Sequence, residues 1–342
     1  MSTAIKKEHK SNRPERGGVA TFVEAIRQGI WEEMERDPTV FVIGEDVGSY
    51  GGAFKVTDGL LDEFGEGRVI DTPISEAAIV GAACGAALMG MRPVAEFQFI
   101  DFISAGFDML TNYAAKSRYR WGGAIPAVFR GPCGSGVRSG PFHSINAEAF
   151  FLNTAGLKIV EPSTAYDAKG LIKAAIRDPD PVIFFEHKKL YRLPRLREEL
   201  PVDDYIVEIG KARVAREGRD LSIITFGAMV LTALDAALEL EKEGIDVEVI
   251  DLRTLAPMDK QAILATAKKT SKVMVLHEAS RTGGIGGEIA ATIGEEAFEW
   301  LDAPVIRVAS IDTPVPYSPP LEDYYMPQLG DVLDAARKLA AY

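Results

Sequence analysis

Glu76 and His143 are the two side chains whose surroundings are typical of reactive groups. Glu76 begins a run of alanine and glycine, residues 76–90, which predicts a helix that another backbone or a flat ligand can approach closely. Burial by such packing would raise the pKa of Glu76 and suit it to acid–base chemistry. The simpler interpretation, which the residues alone favour, is that Glu76 stabilises the helix dipole by roughly a few tenths of a kcal/mol.

His143 follows a loop of small and turn-forming residues, 131–142, and precedes an apolar stretch. Loops that a rigid sheet holds in place carry functional groups disproportionately, and imidazole titrates near neutral pH. The alternative is a partly exposed loop residue with no special role, and the pattern leaves both interpretations open. Structural roles are predicted for the other three histidines, which are His9, His187 and His277.

A third candidate is the segment SRTGGIGGEIAATIG, residues 280–294, which follows a predicted strand. Its glycines resemble those of a dinucleotide-binding loop. However, no true GxGxxG is present, and the acidic residue expected about 20 positions further on is missing. The segment therefore predicts a tight turn from strand to helix rather than a nicotinamide site.

The elements that would position these residues alternate between strand and helix, which predicts βαβ units and a parallel sheet. One helix is predicted over residues 101–120, and a second strand series begins at residue 220. Ligands of such sheets bind beyond the carboxyl ends of the strands. Buried strands of the first series are predicted at 39–43, 93–99, 127–130, 157–162 and 181–186.

The predicted fold class is α/β with two tandem domains. A charged and proline-rich stretch separates the two series of strands. The predicted boundaries are a flexible tail at 1–18, a first α/β domain at 19–195, a linker at 196–219 and a second α/β domain at 220–342. A length of 342 residues agrees with two domains, since one domain takes about 150 residues.

Composition excludes several classes of protein. The formal net charge is −12, which argues against nucleic-acid binding because phosphates require a basic face. The chain has only 2 cysteines, which excludes a disulfide framework and favours the cytoplasm. No apolar run reaches the length of about 18 residues that spans a membrane. Histidines and cysteines at zinc-ligand spacing are also lacking.

Several longer segments occur together in the order of one enzyme family. They are VIGEDVGSYGGAF (42–54), GRVIDTPISEAAIVGAA (67–83), FRGPCGSGVRSGPFHS (129–144) and VEVIDLRTLAPMD (247–259). Through them the chain resembles the β subunits of thiamine-diphosphate-dependent 2-oxoacid dehydrogenases, over about residues 20 to 342. The resemblance implies a pyrimidine-binding parallel-sheet domain followed by a transketolase C-terminal-like domain. It also implies oxidative decarboxylation of a 2-oxoacid and reductive acylation of lipoyl groups on an acyltransferase core.

The resemblance assigns roles to three residues. Glu76, in the PISE motif, matches the glutamate that hydrogen-bonds the aminopyrimidine ring of the cofactor and favours its imino tautomer. His143 matches a histidine that faces the reactive carbon, with an expected role in proton transfer during reductive acylation. Phe102 matches an aromatic side chain that packs on the aminopyrimidine.

The resemblance also implies a potassium ion. By position its ligands would be the carbonyl groups of Ala127, Ala175 and Ile176 with the side chains of Asp178 and Asp180. Carbonyl ligands leave no signature in the sequence, and the Asp-Pro-Asp-Pro segment is equally compatible with a simple turn.

The cofactor's diphosphate requires Mg²⁺, which enzymes of this type bind through a Gly-Asp-Gly segment and a later pair of asparagines. Neither motif occurs in this chain. The metal ligands are therefore expected on an α subunit, in an α2β2 heterotetramer with sites between α and β. The second domain is expected to contact its counterpart and the acyltransferase core.

Substrate and role remain open between several alternatives. The 2-oxoacid is either a branched-chain compound or pyruvate, and a related alternative is an acetoin dehydrogenase β subunit. Two alternatives come from other classes of protein. One is a noncatalytic scaffold half of such a complex, and the other is a nicotinamide oxidoreductase.

Overall fold

Residues 13–342 are described by the computed structural model. His9 lies outside the described residues, as does most of the predicted tail 1–18. Within residues 13–342, no helix combines the length and the apolar character needed to cross a membrane.

Residues 13–200 form eight strands and six α-helices. The strands are β1 Gly18–Ala20, β2 Val40–Gly44, β3 Val69–Asp71, β4 Arg92–Glu96, β5 Val128–Cys133, β6 Lys158–Val160, β7 Val182–His187 and β8 Glu198–Leu200. The helices are α1 Phe22–Arg36, α2 Leu60–Phe64, α3 Glu76–Leu88, α4 Ala115–Trp121, α5 Glu148–Leu152 and α6 Ala165–Arg177.

The second half adds six strands and five helices. The strands are β9 Arg213–Arg216, β10 Leu221–Thr225, β11 Val247–Asp251, β12 Thr254–Ala256, β13 Val273–Ser280 and β14 Ile306–Ser310. The helices are α7 Met229–Lys242, α8 Lys260–Thr270, α9 Gly286–Glu296, α10 Pro319–Tyr325 and α11 Leu329–Ala340.

Two mostly parallel sheets confirm the predicted α/β class. The first has seven strands in the order β12-β6-β7-β5-β4-β2-β3, and the second has five in the order β14-β13-β10-β11-β9. The antiparallel partners are β12, which pairs with β6, and β9, which pairs with β11. Central strands are buried along their whole length, as continuous apolar runs predict.

The two halves are interleaved rather than simply consecutive. Strand β12 comes from the second half of the chain but lies at the edge of the first sheet. The predicted linker, residues 196–219, contains β8, which pairs with β1, and β9, which is an edge strand of the second sheet. Three-residue pairings of this kind have no distinct periodicity, so sequence patterning does not detect them.

The helix predicted over residues 101–120 is divided into three parts. A 3₁₀ helix, Ile100–Gly106, is followed by a π-helix, Met109–Ala114, and then by α4. Gly106 lies against Val80 of α3, where a Cβ atom would come within 2.5 Å of the valine side chain. The segment is therefore shaped by tertiary packing against α3, which local propensity does not report.

Candidate active site

The carboxyl ends of the parallel strands bring polar side chains to one edge of the first sheet. Glu45 directly follows β2, and Glu96 is the last residue of the neighbouring strand β4. Just beyond them, Gln98 Nε2 donates a hydrogen bond to Asp46 at 3.0 Å. Ligands bind at this edge in open parallel sheets.

Glu76 is half-buried at the first position of α3, with a buried carboxyl group for a neighbour. That neighbour is Glu45, which is 7% exposed and whose Oε1 has no hydrogen-bond partner. Burial raises the pKa of Glu45, and the adjacent charge of Glu76 raises it further. The pair can therefore hold a proton or bind a ring that presents a nitrogen. Sequence patterning did not find Glu45, although an acidic residue directly after a buried strand is a detectable signal.

The outer face of α3 is apolar and open to solvent. Ala77, Ala78 and Ala82 are exposed on the helix. Two larger apolar side chains flank this face, with Ile74 82% exposed and Met89 85% exposed. A contiguous apolar surface beside a pair of carboxyl groups is typical of a surface that another molecule covers.

His143 lies within an aromatic cluster. Its ring centroid is 4.5 Å from that of Phe99 and 5.7 Å from that of Phe102, both in edge-to-face geometry. The two phenylalanine rings are 6.4 Å apart. The structure thus brings together two residues that the sequence singled out, His143 and Phe102, and adds Phe99. The imidazole is half-buried beside aromatic walls, which suits it to move a proton in a site shielded from water.

Asp101 binds the backbone that follows His143. Its Oδ1 accepts hydrogen bonds from the backbone N–H groups of Ser144 and Ile145, each at 3.1 Å. These residues directly follow His143, and Asp101 directly precedes Phe102. Its Oδ2 has no partner, and burial raises the pKa of this carboxyl group. Sequence analysis did not single out Asp101, because its contact lies about 40 residues away in the chain.

A cavity of about 480 Å³ opens beside the aromatic cluster. Phe54, Phe99 and Val137 form part of its wall, together with the cationic side chains Lys188 and Arg192. Burial lowers the pKa of Lys188, whose ammonium group donates to the carbonyl of Gly134 at 2.6 Å. The cavity therefore combines apolar walls with positive charge.

Comparison with known proteins identifies the two halves. Residues 19–194 match the domain described as "Transketolase, pyrimidine binding domain", and residues 210–332 match "Transketolase, C-terminal domain". The chain is 51% identical to the 2-oxoisovalerate dehydrogenase subunit beta of Bacillus subtilis (strain 168), over 95% of this chain and 99% of that protein. It is 47% identical to the pyruvate dehydrogenase E1 component subunit beta of the same organism, over 94% and 99% of the two chains.

The chain belongs to the family of 2-oxoacid dehydrogenase β subunits. Family members depend on thiamine diphosphate. A further member, the pyruvate dehydrogenase E1 component subunit beta of Staphylococcus aureus (strain COL), is 46% identical over 93% of this chain and 98% of its own length. A solved structure described as "Split gene transketolase, inactive beta4 tetramer" superimposes with a TM-score of 0.77. At 23% identity, over 95% of this chain and 99% of that one, it supports the fold.

Four of the five residues proposed to bind potassium lie at the end of α6 or between α6 and β7, and these are Ala175, Ile176, Asp178 and Asp180. The fifth, Ala127, directly precedes the neighbouring strand β5, and its carbonyl group accepts a hydrogen bond from the Val182 N–H at 3.0 Å. However, the Asp178 carboxylate is paired with Lys158 at 2.6 Å, and that of Asp180 with Arg118 at 2.5 Å. The carbonyl group of Ile176 accepts a hydrogen bond from Arg92 at 2.8 Å. In this arrangement the residues do not fit a potassium ion unless the cationic side chains move away. The potassium site stays a prediction.

The glycine-rich segment 280–294 contains the turn between β13 and α9 and most of α9 itself. His277 lies beneath this turn, fully buried, and burial together with Arg307 lowers its pKa to about 4. A Cβ atom at Gly284 or Gly286 would come within 2.8 Å of the imidazole ring, so both positions require glycine. Among residues 13–342, no group of histidine, cysteine and acidic side chains is arranged to hold a metal ion.

Proposed function

We propose that the chain is the β subunit of the decarboxylating component of a 2-oxoacid dehydrogenase complex. In this proposal it acts with an α subunit on a branched-chain 2-oxoacid or pyruvate and passes the acyl group to lipoyl groups of an acyltransferase core. The observation that carries the proposal is an open half-site, in which Glu76 and Glu45 lie at the end of a helix whose apolar outer face is exposed.

The residues of the half-site fit the ring portion of thiamine diphosphate. Glu76 would hydrogen-bond a ring nitrogen, and Glu45, which has an unpartnered buried oxygen, would hold a shared proton next to it. Phe102 would pack on the ring. When bound, the cofactor supplies the carbanion chemistry that releases carbon dioxide from a 2-oxoacid.

His143 would move a proton at the reacting carbon while the acyl group passes to the lipoyl group. Its aromatic neighbours Phe99 and Phe102 exclude water from that side of the imidazole. Asp101 holds the backbone that follows the histidine. Such proton transfer typically contributes a factor of about 10² to 10⁴ in rate.

The diphosphate and its Mg²⁺ require ligands from a second chain. This sequence has neither a Gly-Asp-Gly segment nor paired asparagines. An α subunit that covers α3 would supply them and would also bury Ile74 and Met89. The same proposal includes an α2β2 assembly with the acyltransferase core bound to the second domain. The cytoplasmic location, favoured by two buried free cysteines, is part of the same proposal.

The test is to replace Glu76 in the complex with the α subunit. Glu76→Gln removes the charge but keeps the shape, so we expect decarboxylation of 2-oxoisovalerate and pyruvate to fall by about a hundredfold or more. Exposed Glu66, ten residues before it, provides the matched control Glu66→Gln, which should retain full activity.

Assembly is measured on the same samples by size-exclusion chromatography. Undiminished turnover in an intact Glu76→Gln complex would show that this chain is a noncatalytic scaffold. Comparing the two oxoacids in the unmodified complex decides between the branched-chain substrate and pyruvate.

A further inference from the structure

The loop that carries His143 is bound by the second domain. We call residues 134–146 the histidine loop. Glu278, in β13, accepts hydrogen bonds through Oε1 from the backbone N–H of Ser135 at 2.6 Å and from Asn146 Nδ2 at 3.0 Å. Ser135 and Asn146 lie at opposite ends of the histidine loop, so one carboxylate closes it.

A second carboxylate of the same domain holds the middle of the loop. Glu322, in α10, accepts hydrogen bonds through Oε1 from the backbone N–H groups of Gly136 and Arg138, at 2.8 and 3.3 Å. Its Oε2 accepts from Arg138 Nη1 at 2.7 Å. Glu322 is fully buried and Glu278 is 4% exposed, so both carboxylates bind the loop in the interior of the protein rather than at its surface.

The charge of Glu278 is maintained by its own surroundings. Its Oε2 lies 2.8 Å from His187 Nε2. Burial acts to raise the pKa of Glu278, but His187 and the donors of the loop outweigh it and lower the pKa to about 2. Ionised acceptors form stronger hydrogen bonds than neutral ones. At neutral pH the loop is therefore closed by a charged group.

The loop has little other support from its own backbone. Within the loop, the Gly134 N–H donates to the Ile145 carbonyl at 3.2 Å, and the His143 N–H donates to the Gly140 carbonyl at 3.4 Å. A 3.4 Å contact joins Ser135 Oγ to the Ser144 carbonyl, and Asp101 of the first domain accepts from the two N–H groups that follow His143. Three of its glycines have positive φ angles, between 71° and 87°, and so define no regular element. A loop of this kind takes its shape from the groups that bind its N–H donors.

We propose that Glu278 and Glu322 are positioning residues, through which the second domain holds His143 in place against Phe99 and Phe102. The inference rests on the proposed function, since it assigns to the second domain a part in the reaction of that same site. A purely structural contact between domains would stabilise the chain without affecting one chemical step more than another.

The first test measures the loop directly, by hydrogen–deuterium exchange of the assembled complex. We expect Glu278→Gln and Glu322→Gln to speed exchange in peptides that cover residues 134–146, with little change elsewhere in the first domain. The control is Glu248→Gln, since Glu248 is a buried carboxylate of the second domain that hydrogen-bonds Thr266 and lies outside this loop. Unchanged exchange in both loop variants would overturn the proposal.

The second test separates two steps of the reaction. Decarboxylation is measured with an artificial electron acceptor, and acyl transfer is measured with a lipoyl substrate. In Glu278→Gln we expect acyl transfer to fall by about tenfold to a hundredfold, because a displacement of about 1 Å at a reacting group costs that much. Decarboxylation should change much less. An equal loss in both reactions would overturn the proposal.

A double variant tests whether Glu278 acts through His143. If it does, His143→Ala combined with Glu278→Gln will transfer acyl groups no more slowly than His143→Ala alone. Additive losses would show a role independent of His143. An unmodified complex that acts on no 2-oxoacid would instead refute the proposed function. Hydrogen–deuterium exchange would still test whether Glu278 and Glu322 hold the histidine loop.

Discussion

Glu148 and Glu161 are carboxyl groups buried near the contact between the two domains. Three of their four oxygens have no hydrogen-bond partner. Burial is the main reason that the pKa of Glu148 is raised to about 7 and that of Glu161 well above its usual range. Nearby acidic groups such as Glu278 raise the pKa values of both carboxyl groups further. Their protonation therefore affects the stability of the folded chain.

We expect Glu148→Gln to stabilise the chain more at pH 8 than at pH 5. A carboxyl group whose pKa is raised on folding imposes no penalty below its unfolded pKa near 4.5, and the penalty grows until the pH passes about 7. The variant removes this dependence. Between pH 5 and pH 8, its stability relative to the unmodified chain should rise by about 2 kcal/mol.

Urea unfolding at the two pH values measures this difference. Exposed Glu295 on α9 gives the control Glu295→Gln, which should follow the unmodified chain at both pH values. An equal effect of Glu148→Gln at pH 5 and pH 8 would contradict the prediction.

Sequence patterning found part of the candidate site at this scale. Patterning singled out Glu76 and His143, the resemblance to the family added Phe102, and the structure places His143 beside Phe102. Asp101 was missed because it acts on a segment about 40 residues away, and Glu45 was missed although its place directly after a buried strand is a signal in the sequence. Residue types indicate which side chains can react, whereas neighbours across strands decide which of them are buried or paired.

At the scale of elements, helix α3 is buried on one face and exposed on the other although both faces are apolar. Ile79, Val80 and Ala83 are buried against the first sheet and the 3₁₀ segment, whereas the opposite face is exposed. The sequence of α3 is apolar on all sides, which in a single chain predicts a fully buried helix. The exposed half is explained if another chain covers it.

We therefore expect Ala82→Glu to weaken association with the α subunit. A charge placed without a partner in a buried interface is strongly unfavourable, so binding should weaken by about a hundredfold or more. The control is Leu238→Glu on α7, a side chain that is 54% exposed on a different surface. Affinity is measured by titration calorimetry, and thermal unfolding checks that the isolated variant is folded. Unchanged affinity in a folded Ala82→Glu variant would contradict the prediction.

Across the whole molecule, the two domains share contacts that the order of elements along the chain does not reveal. Strand β12 completes the first sheet, and Arg253 pairs with Asp167 across the domains at 2.8 Å. One continuous apolar cluster contains Ile183 of the first sheet and Val275 of the second. Unfolding either half would expose surface that belongs to the other.

The isolated chain is therefore expected to unfold in a single cooperative transition. Differential scanning calorimetry should give one peak, with a calorimetric enthalpy equal to the van't Hoff enthalpy. The variant Arg253→Ala, which breaks the pair with Asp167, should lower the temperature of the whole transition rather than separate it. Two resolved transitions would show that the domains unfold independently.

The sequence by itself determined the α/β class, the two-domain plan and the family, and it predicted three residues of the candidate site. Long apolar strands and a full-length set of family segments carry that information, because they depend on the order of residues along the chain. Only the tertiary structure decided that β12 joins the first sheet, that Glu45 lies beside Glu76, and that Glu278 and Glu322 hold the histidine loop. These contacts join segments 30 to 190 residues apart. Such pairings are set by how strands and domains pack, which local patterns do not encode.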